Sequence, residues 1–456
     1  MMDRRRNWAR TTIGSERPPS AHAGGAPVLP EARLVQFPDS PRRPLDGIRV
    51  LDLTSAVAGP VATQLLGALG AEIIRIETPW AKPRNPTSAL KKRTEGPDEP
   101  WNREPRQNEL ANSKRSVALN LTTDPGRETF LDLVEVSDVV LENFSPRVMG
   151  NFGLEWDTLS ERNPQIVYVA MPAFGKSGPW RDRISYGPGI DAMSGLSWLT
   201  GYADGSPLKP GNFYCDQNAG LLAALSTVAA LKTRCRVGGQ TVELAMLEGE
   251  LQLIGEAMVG QQLSGREPMR IGNEHTSAAP HGVYPAAPLL DNPDSWIAIA
   301  CRNDAEWTSL LSVWRDDGVR SDRRFSSGLR RWKHRAELDD LLRGWTACQD
   351  PQTLSERLQR AGVPASPVMG PRALLRDEQV LARQSVGGLQ HPQVGLSPAP
   401  QAAFRLSHTP APPKNAAPLF AADTIPVLRE ILGYSEEQIA DLLDSGAASD
   451  RLQERP

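Results

Sequence analysis

Cysteine, histidine and long apolar runs are all scarce in this sequence, and each shortage excludes a class of protein. The four cysteines stand far apart without a CxxC pair, which argues against both a disulfide framework and a zinc site. Only two of the six histidines, His275 and His281, share a loop, so we expect no bound metal. No run approaches the roughly 18 apolar residues that span a bilayer, and no apolar segment follows the N-terminal arginines. These shortages predict a cytoplasmic protein in a reducing compartment.

Charge of either sign is not in excess, because 51 basic residues stand against 54 acidic ones and the net charge is −3. No overall field therefore attracts the chain to nucleic acid or to a membrane surface. With 456 residues, of which 39% are hydrophobic, the chain can bury an ordinary core in one elaborate domain or in two. Its ligands are expected at local sites.

The common catalytic motifs are missing as well. The sequence contains no GxSxG, HExxH or P-loop pattern. The turn after the first predicted strand, SAVAGP at 55–60, lacks the glycines of the GxGxxG dinucleotide site. A reactive group must therefore come from residues outside these motifs.

The pattern that is present indicates the fold. Residues 1–44 are rich in Pro, Gly, Ala and Arg without an apolar period, which predicts a disordered tail. From Gly47 onwards, short apolar runs of strand type alternate with segments of helical spacing. This alternation predicts an α/β fold with a mainly parallel sheet and helices on both faces. Ligands of such sheets usually bind outside the carboxyl ends of the strands.

The later part of the chain has a different texture. Between about 255 and 370, Trp and Arg stand among polar residues, which predicts a second, smaller domain. Residues 385–418 are rich in Pro and Ala and are expected to run extended. Two helices close the chain, and the last is predicted to open with a capping box between Ser435 and Gln438. Residues after Gly446 are expected to fray.

The strongest candidate for a reactive group is Asp216, in GNFYCDQNAG at 211–220, directly before a long apolar helix. One interpretation is structural, because Asp is a preferred N-cap residue whose carboxylate accepts the amides of the first turn. The other is catalytic, because the helix dipole holds a carboxylate in the ionised form that can attack a carbonyl. The two interpretations are compatible, and Gly220 would leave room for a ligand above the first turn.

Two other segments have both a structural and a functional interpretation. The glycine-rich run Tyr186–Gly195 is typical of a loop, or of a flexible backbone lip that approaches a ligand closely. Asp191 within it is a possible second carboxylate, although a solvated loop acid is the more usual case. Lys114 and Arg115 precede a predicted strand, either as a solvated pair or as contacts to the phosphates of a nucleotide-bearing ligand.

Several stretches together carry a family resemblance: PLDGIRVLDLTSAVAGP at 44–60, LGALGAEIIRIETP at 66–79, NSKRSVALNL at 112–121, ENFSPRVMGNFGLEW at 142–156, AFGKSGPW at 173–180, SYGPGIDAMSGL at 185–196 and GNFYCDQNAG at 211–220. Each stretch alone is a weak signal. In this order and spacing they resemble the class III CoA-transferases of the CaiB/BaiF type, which include formyl-CoA transferase and carnitine CoA-transferase. The resemblance runs from about Leu45 to Gly446.

The resemblance implies an architecture. A large Rossmann-like domain is expected at 45–250, a smaller α+β domain at 251–375, and a return of the chain to the large domain at 376–446, with a frayed tail at 447–456. Members of the family form rings of two interlocked chains, so the resemblance also implies an obligate homodimer.

The resemblance also implies a mechanism. The family's nucleophilic aspartate falls on Asp216, which would attack an acyl-CoA, form a mixed anhydride and then an aspartyl-CoA thioester, and pass CoA to an acceptor carboxylic acid. No cofactor is implied beyond coenzyme A as a substrate. The residues predicted to bind CoA, from the resemblance and from the basic pair, are Ser55, Ala58, Lys114, Arg115, Asn143, Phe144, Arg147 and Tyr186.

The sequence departs from the family pattern in several places. Gly187 stands where relatives often have an acidic residue, and Asp191 replaces a usual glutamine. Val57 stands where formyl-CoA transferase has a glutamine, which argues against formate and oxalate as substrates. Phe420 begins the segment that replaces a usual Gly-Glu-His.

Two alternative functions remain open from the sequence. The family also contains 2-methylacyl-CoA racemases, which place a histidine where this chain has Tyr186, a poor base at neutral pH. A non-catalytic CoA-binding protein is the second alternative, suggested by Gly187 and by the altered segment at 420–422. The identities of the acyl donor and the acid acceptor are not determined by the sequence.

Overall fold

The computed structural model describes residues 42–80, 100–290 and 292–453. The predicted disordered tail at 1–44 lies almost wholly outside these residues. Within the described part of the chain, no helix is both long enough and apolar enough to cross a membrane.

A seven-stranded sheet forms the centre of the large domain. Its strands are β1 (Arg49–Asp52), β2 (Glu72–Glu77), β3 (Lys114–Leu119), β4 (Val139–Glu142), β5 (Val167–Ala170), β6 (Gln240–Glu243) and β12 (Ala448–Ser449). Their spatial order is β12-β3-β2-β1-β4-β5-β6, and all neighbours pair in parallel except β12 with β3. The central strands β4 and β5 are buried along their whole length, as expected for parallel strands covered on both faces.

Helices fill the connections between these strands. They are α1 (Ala58–Ala68), α2 (Pro105–Leu110), α3 (Asp124–Glu135), α4 (Val148–Asn151), α5 (Trp156–Arg162), α6 (Gly187–Ser194), α7 (Leu196–Leu199), α8 (Tyr214–Val237), α9 (Met246–Leu251) and α10 (Gly255–Ser264). One apolar core, with Phe130 and Leu159, covers one face of the sheet, and a second, with Leu66 and Ala223, covers the other. These layers confirm the predicted α/β fold class.

A three-stranded antiparallel sheet lies in the smaller α+β part of the chain. It consists of β7 (His281–Pro285), β8 (Trp296–Ala300) and β9 (Ala365–Pro367). The helices of this region are α11 (Asp304–Trp314), α12 (Asp317–Ser321), α13 (Gly328–Lys333), α14 (Arg335–Thr346) and α15 (Pro351–Arg360). Its own core includes Tyr284, Trp307 and Leu342, so this sheet is stabilised separately from the large one.

The C-terminal segment returns to the large sheet. After α16 (Pro371–Leu374) and α17 (Glu378–Ala382), it forms a hairpin of β10 (Val386–His391) and β11 (Gly395–Pro400), and then α18 (Thr424–Glu430) and α19 (Glu436–Asp444). The predicted capping box between Ser435 and Gln438 is present at the start of α19. The sequence predicts fraying after Gly446, but β12 pairs with β3 and is buried, because β3 offers a free sheet edge to these small residues.

Candidate active site at the carboxyl ends of the strands

The site lies where the order of the strands reverses. Strand β1 has β2 on one side and β4 on the other, so the turns after β1 and β4 flank the crevice in which ligands of such sheets bind. Two hydrogen bonds join these turns. The Asn143 side-chain oxygen accepts from the Ser55 backbone N–H at 2.8 Å, and its side-chain nitrogen donates to the Ser55 carbonyl at 2.8 Å. The structure thus brings together two residues that the sequence placed near CoA.

Glu142, which the sequence interpretation missed, fixes the turn after β4. Its carboxylate accepts the Phe144 backbone N–H at 2.7 Å and the Tyr168 hydroxyl at 2.9 Å. Burial raises the pKa of Glu142 to about 6, although both hydrogen bonds oppose this shift. The only signal in the sequence is an acidic residue that ends an otherwise apolar strand. The backbone of Phe144 is therefore held in place by the buried Glu142 carboxylate.

Asp216 does not cap its helix. Helix α8 begins at Tyr214 after the N-cap residue Phe213, so Asp216 lies inside the first turn and the N-cap interpretation is wrong. Phe213 packs against the apolar side chains of Val57 and Val61. Asp216 is largely buried, with 8% of its surface exposed.

Helix α1 packs closely against α8 one turn after Asp216. A Cβ atom on Gly220, one turn after Asp216, would lie only 2.7 Å from the carbonyl oxygen of Ala58. The space at Gly220 is therefore occupied by α1, rather than kept for a ligand as the sequence suggested. Ala58 itself is the first residue of α1 and is buried.

The Asp216 carboxylate lies directly on the backbone of Gly187. A Cβ atom on Gly187 would be 1.9 Å from Asp216 Oδ2, so a side chain there would displace the carboxylate. The glycine-rich run is not a flexible lip, because residues 187–194 form α6 with Tyr186 as its N-cap. The backbone at the start of α6 therefore fixes the position of the Asp216 carboxylate.

Two further carboxyl groups lie behind Asp216. Asp191 on α6 and Glu250 on α9 are both fully buried, so the interpretation of Asp191 as a solvated acid is wrong. Burial and the adjacent Asp191 raise the pKa of Glu250 to about 8, and Asp216 adds to this shift. Burial, together with these three carboxyl groups, also raises the pKa of the Cys215 thiol, which makes it a poor rival nucleophile. No motif in the sequence marks Glu250.

A cavity of about 320 Å³ opens beside the turn after β1. Ser55 and Lys114, two of the residues predicted to contact CoA, line it. Trp101 and Arg106 also line it, and both were missed because they belong to no motif. An aromatic ring and a guanidinium group suit a ligand that carries a base and phosphates.

The basic pair forms the first two residues of β3, rather than preceding the strand, and its side chains are divided between the two faces of the strand. Lys114 is buried, and its Nζ donates to Asp52 Oδ2 at 3.0 Å and to Thr63 Oγ1 at 2.7 Å. Arg115 faces the other side and forms an ion pair with Glu72 at 3.1 Å. The two side chains therefore cannot both bind the same phosphate group.

The remaining predicted CoA contacts lie at the surface. Arg147, just after the Phe144 turn, is exposed, and its Nε lies 3.0 Å from Asp182 Oδ1. Tyr186 is also exposed. Among the residues that the structure describes, no group of three or more His, Cys, Asp or Glu side chains is arranged to hold a metal ion.

Comparison with known proteins assigns the family. Residues 45–424 match the sequence model described as CoA-transferase family III. The chain is 33% identical over 411 residues to the succinyl-CoA–D-citramalate CoA-transferase of Chloroflexus aurantiacus, covering 88% of this chain and 97% of that one. It is 29% identical to the succinate–glutarate CoA-transferase of Agrobacterium fabrum, covering 86% and 97%.

The fold agrees with this match. The crystal structure of a CaiB/BaiF family protein from Brucella suis superposes with a TM-score of 0.74 at 28% identity, covering 85% of this chain and 99% of the other. The resemblance in sequence, the switch-point site and the superposed fold point to one family. The chain belongs to CoA-transferase family III.

Proposed function

We propose that this chain transfers CoA from an acyl-CoA thioester to a carboxylic acid, with Asp216 as the covalent nucleophile. The observation that carries the proposal is the placement of the Asp216 carboxylate. It is largely buried, lies on Gly187 at the start of α6, and stands one helical turn from the contact between α8 and Ala58. A carboxylate held in one position by the surrounding backbone is suited to attack a bound thioester carbonyl.

The proposed chemistry needs no group besides the substrates and Asp216. The carboxylate attacks the thioester carbonyl and the carbon–sulfur bond breaks. CoA departs as the thiolate, and an acyl-aspartyl anhydride is formed. The thiolate attacks the aspartyl carbonyl, which releases the first acid and leaves an aspartyl-CoA thioester. The acceptor carboxylate displaces CoA from this thioester to form a second anhydride. The thiolate then attacks the acceptor's carbonyl, which gives the new acyl-CoA and regenerates Asp216.

CoA is proposed to bind along the turns after β1 and β4. The hydrogen-bonded pair of Ser55 and Asn143 and the cavity lined by Lys114 and Trp101 support this placement. Ala58, Phe144, Tyr186 and Arg147 stay on the CoA side in this proposal. Arg115 is proposed to act only indirectly, since its guanidinium is paired with Glu72 on the opposite face.

We propose succinyl-CoA as a donor and a short dicarboxylic acid as the acceptor. The names of the relatives support this choice, since those proteins are named for succinyl-CoA or succinate with D-citramalate, L-malate or glutarate. The structure adds two cations beside Phe213, the N-cap residue of α8. Arg106 and Lys209 lie 5.4 and 5.3 Å from the ring of Phe213, three residues before Asp216. Such cations would attract the second carboxylate of a dicarboxylic acid.

We propose that two chains assemble into an interlocked homodimer. The support is a band of exposed apolar side chains within 184–271, which includes Ile184, Leu225, Val259 and Leu263. Burial of such a band against a second copy would remove apolar surface from water. The purified protein should stay dimeric at nanomolar concentration in sedimentation. An active monomer would contradict this assembly.

The test of the nucleophile is the Asp216→Asn variant. Asn has nearly the same size, so the variant should fold and bind CoA, but an amide cannot form the anhydride, and turnover should fall at least about 10³-fold. Wild-type protein treated with acyl-CoA and then with hydroxylamine should carry a hydroxamate at Asp216, detected by peptide mass spectrometry.

The matched control is Asp204→Asn, at an exposed loop position, which should keep wild-type turnover. Near-normal transfer by the Asp216→Asn variant would end the covalent proposal. Exchange of the α-proton of the acyl group in deuterated water, without any acceptor acid, would favour the racemase alternative.

A further inference from the structure

The two carboxyl groups behind Asp216 lie against each other in a fully buried place. Asp191 Oδ1 accepts the backbone N–H of Cys215 at 3.4 Å. In the described part of the chain, Asp191 Oδ2 and both Glu250 carboxyl oxygens have no hydrogen-bond partner at normal geometry. The Ser194 hydroxyl lies near Glu250 and acts to lower its pKa, but at normal geometry it donates to the Asp191 carbonyl. Asp191 and Glu250 are nevertheless within hydrogen-bonding reach of one another. Three buried oxygens without a donor would be costly if both groups were ionised.

A proton resolves this arrangement. Two carboxylates are both acceptors, so a hydrogen bond between them forms only when one carries a proton. When two carboxylates share a buried site, ionisation of both is disfavoured, and the pKa of one of them is raised. The groups that face Glu250 are Asp191 and the neutral Ser194 on α6, and Cys215 and Asp216 on α8. Its neighbour Glu248 on α9 is exposed.

We propose that Asp191 and Glu250 share one proton and act together as a positioning pair for Asp216. This inference rests on the proposed role of Asp216 as the nucleophile. Glu250 donates to Asp191, and Asp191 accepts the N–H of Cys215, the residue directly before Asp216. The pair therefore fixes the first turn of α8 from behind, in the place where a side-chain N-cap is missing.

The shared proton also limits negative charge at the site. With the proton bound, Asp191 and Glu250 carry one charge between them. Without it they carry two, beside a centre to which CoA thiolate and an acceptor carboxylate must both come as anions. Coulomb repulsion at short range in a buried site is weakly screened. Loss of the proton should therefore hinder the steps in which these anions attack.

The first experiment reads the proton directly. The infrared carbonyl stretch of a protonated carboxyl is followed against pH in wild-type protein and in Glu250→Gln. We expect a band in the wild type that persists through pH 7 and disappears near pH 8, and no such band in the variant. A wild type without the band at pH 7, or a variant that keeps it, would overturn the proposal. This result does not depend on whether Asp216 is the nucleophile.

The second experiment reads the consequence for transfer. In the wild type, kcat/KM for the acceptor acid should be about tenfold lower at pH 9 than at pH 7. In Glu250→Gln it should be the same at both pH values, because Gln carries no charge at either pH. Glu248→Gln, the exposed neighbour on the same helix, should fall as the wild type does. An equal alkaline fall in wild type and Glu250→Gln would contradict the positioning role.

A second variant keeps the proposal testable if Glu250→Gln does not fold. In Asp191→Asn, the amide can donate to an ionised Glu250, so the protonated band should be lost at neutral pH while the hydrogen bond between positions 191 and 250 is kept. Persistence of the band in this variant at pH 7 would mean that Glu250 holds its proton without Asp191, and the shared-proton proposal would fail.

Discussion

Two buried pairs of polar side chains lie beneath the site, and they differ in how each compensates for the loss of solvent. Lys114 and Asp52 form an ion pair at 3.0 Å, whereas Asp191 and Glu250 bring together two acids. Burial alone would raise the pKa of Asp52, but the Lys114 charge and hydrogen bonds from Thr54 and Thr63 hold it below its usual value. Burial therefore sets the cost of a charge, and the partner decides which protonation state the protein adopts.

The two pairs also connect different parts of the molecule. Asp52 ends β1, Lys114 begins β3 and Thr63 lies on α1, so the ion pair joins the strand and helix on either side of the first turn. The acid pair joins α6 to α9, next to the start of α8. We therefore expect the ion pair to govern mainly stability, and the carboxyl side to govern mainly the rate of transfer.

The largest effect on stability is expected from Lys114→Met. Removal of one partner leaves the Asp52 charge buried without compensation, which should cost about 3–5 kcal/mol in the free energy of unfolding. Without Lys114, the pKa of Asp52 in the folded protein should rise above its value in the unfolded chain. Such a group destabilises the fold increasingly as the pH rises towards the folded pKa, so the loss of stability should be greater at pH 7.5 than at pH 5. Urea unfolding at the two pH values measures both expectations.

Two further variants serve as controls for this experiment. Lys232→Met, at an exposed position on α8, should change the free energy of unfolding by less than about 0.5 kcal/mol. Asp52→Asn combined with Lys114→Met removes the uncompensated charge and should be more stable than Lys114→Met alone. Equal stability of the single variant and the Lys232→Met control would show that the ion pair contributes nothing.

A smaller effect, on rate rather than stability, is expected from Gly187→Ala. The added Cβ would lie 1.9 Å from Asp216 Oδ2, which is too close for non-bonded atoms, so the carboxylate would have to move. A misplacement of about 1 Å typically lowers turnover about 10²-fold, and we expect a loss of that size in kcat with the free energy of unfolding little changed. Gly260→Ala, where a Cβ meets open space, is the matched control. Full turnover by Gly187→Ala would show that the carboxylate position is not critical.

The sequence identified the parts of the site that come from regular patterns. Alternating apolar runs predicted the parallel sheet, and its switch point brought Ser55 and Asn143 together, as shown by their two hydrogen bonds. The sequence could not predict Glu142, Trp101 or Arg106, because their role comes from neighbours distant in the chain. It also misplaced the start of α8, which begins at Tyr214, before Asp216.

By itself, the sequence determined the fold class and the family, because hydrophobic periodicity and ordered motifs are local properties of the chain. It also singled out Asp216 from its position near a helix start. Only the tertiary structure decided that Gly187 supports the Asp216 carboxylate, that Asp191 is buried rather than solvated, and that Glu250 lies against it. The physical reason is that burial and close approach depend on how α6, α8 and α9 pack, and no local pattern encodes the distance between side chains on different helices.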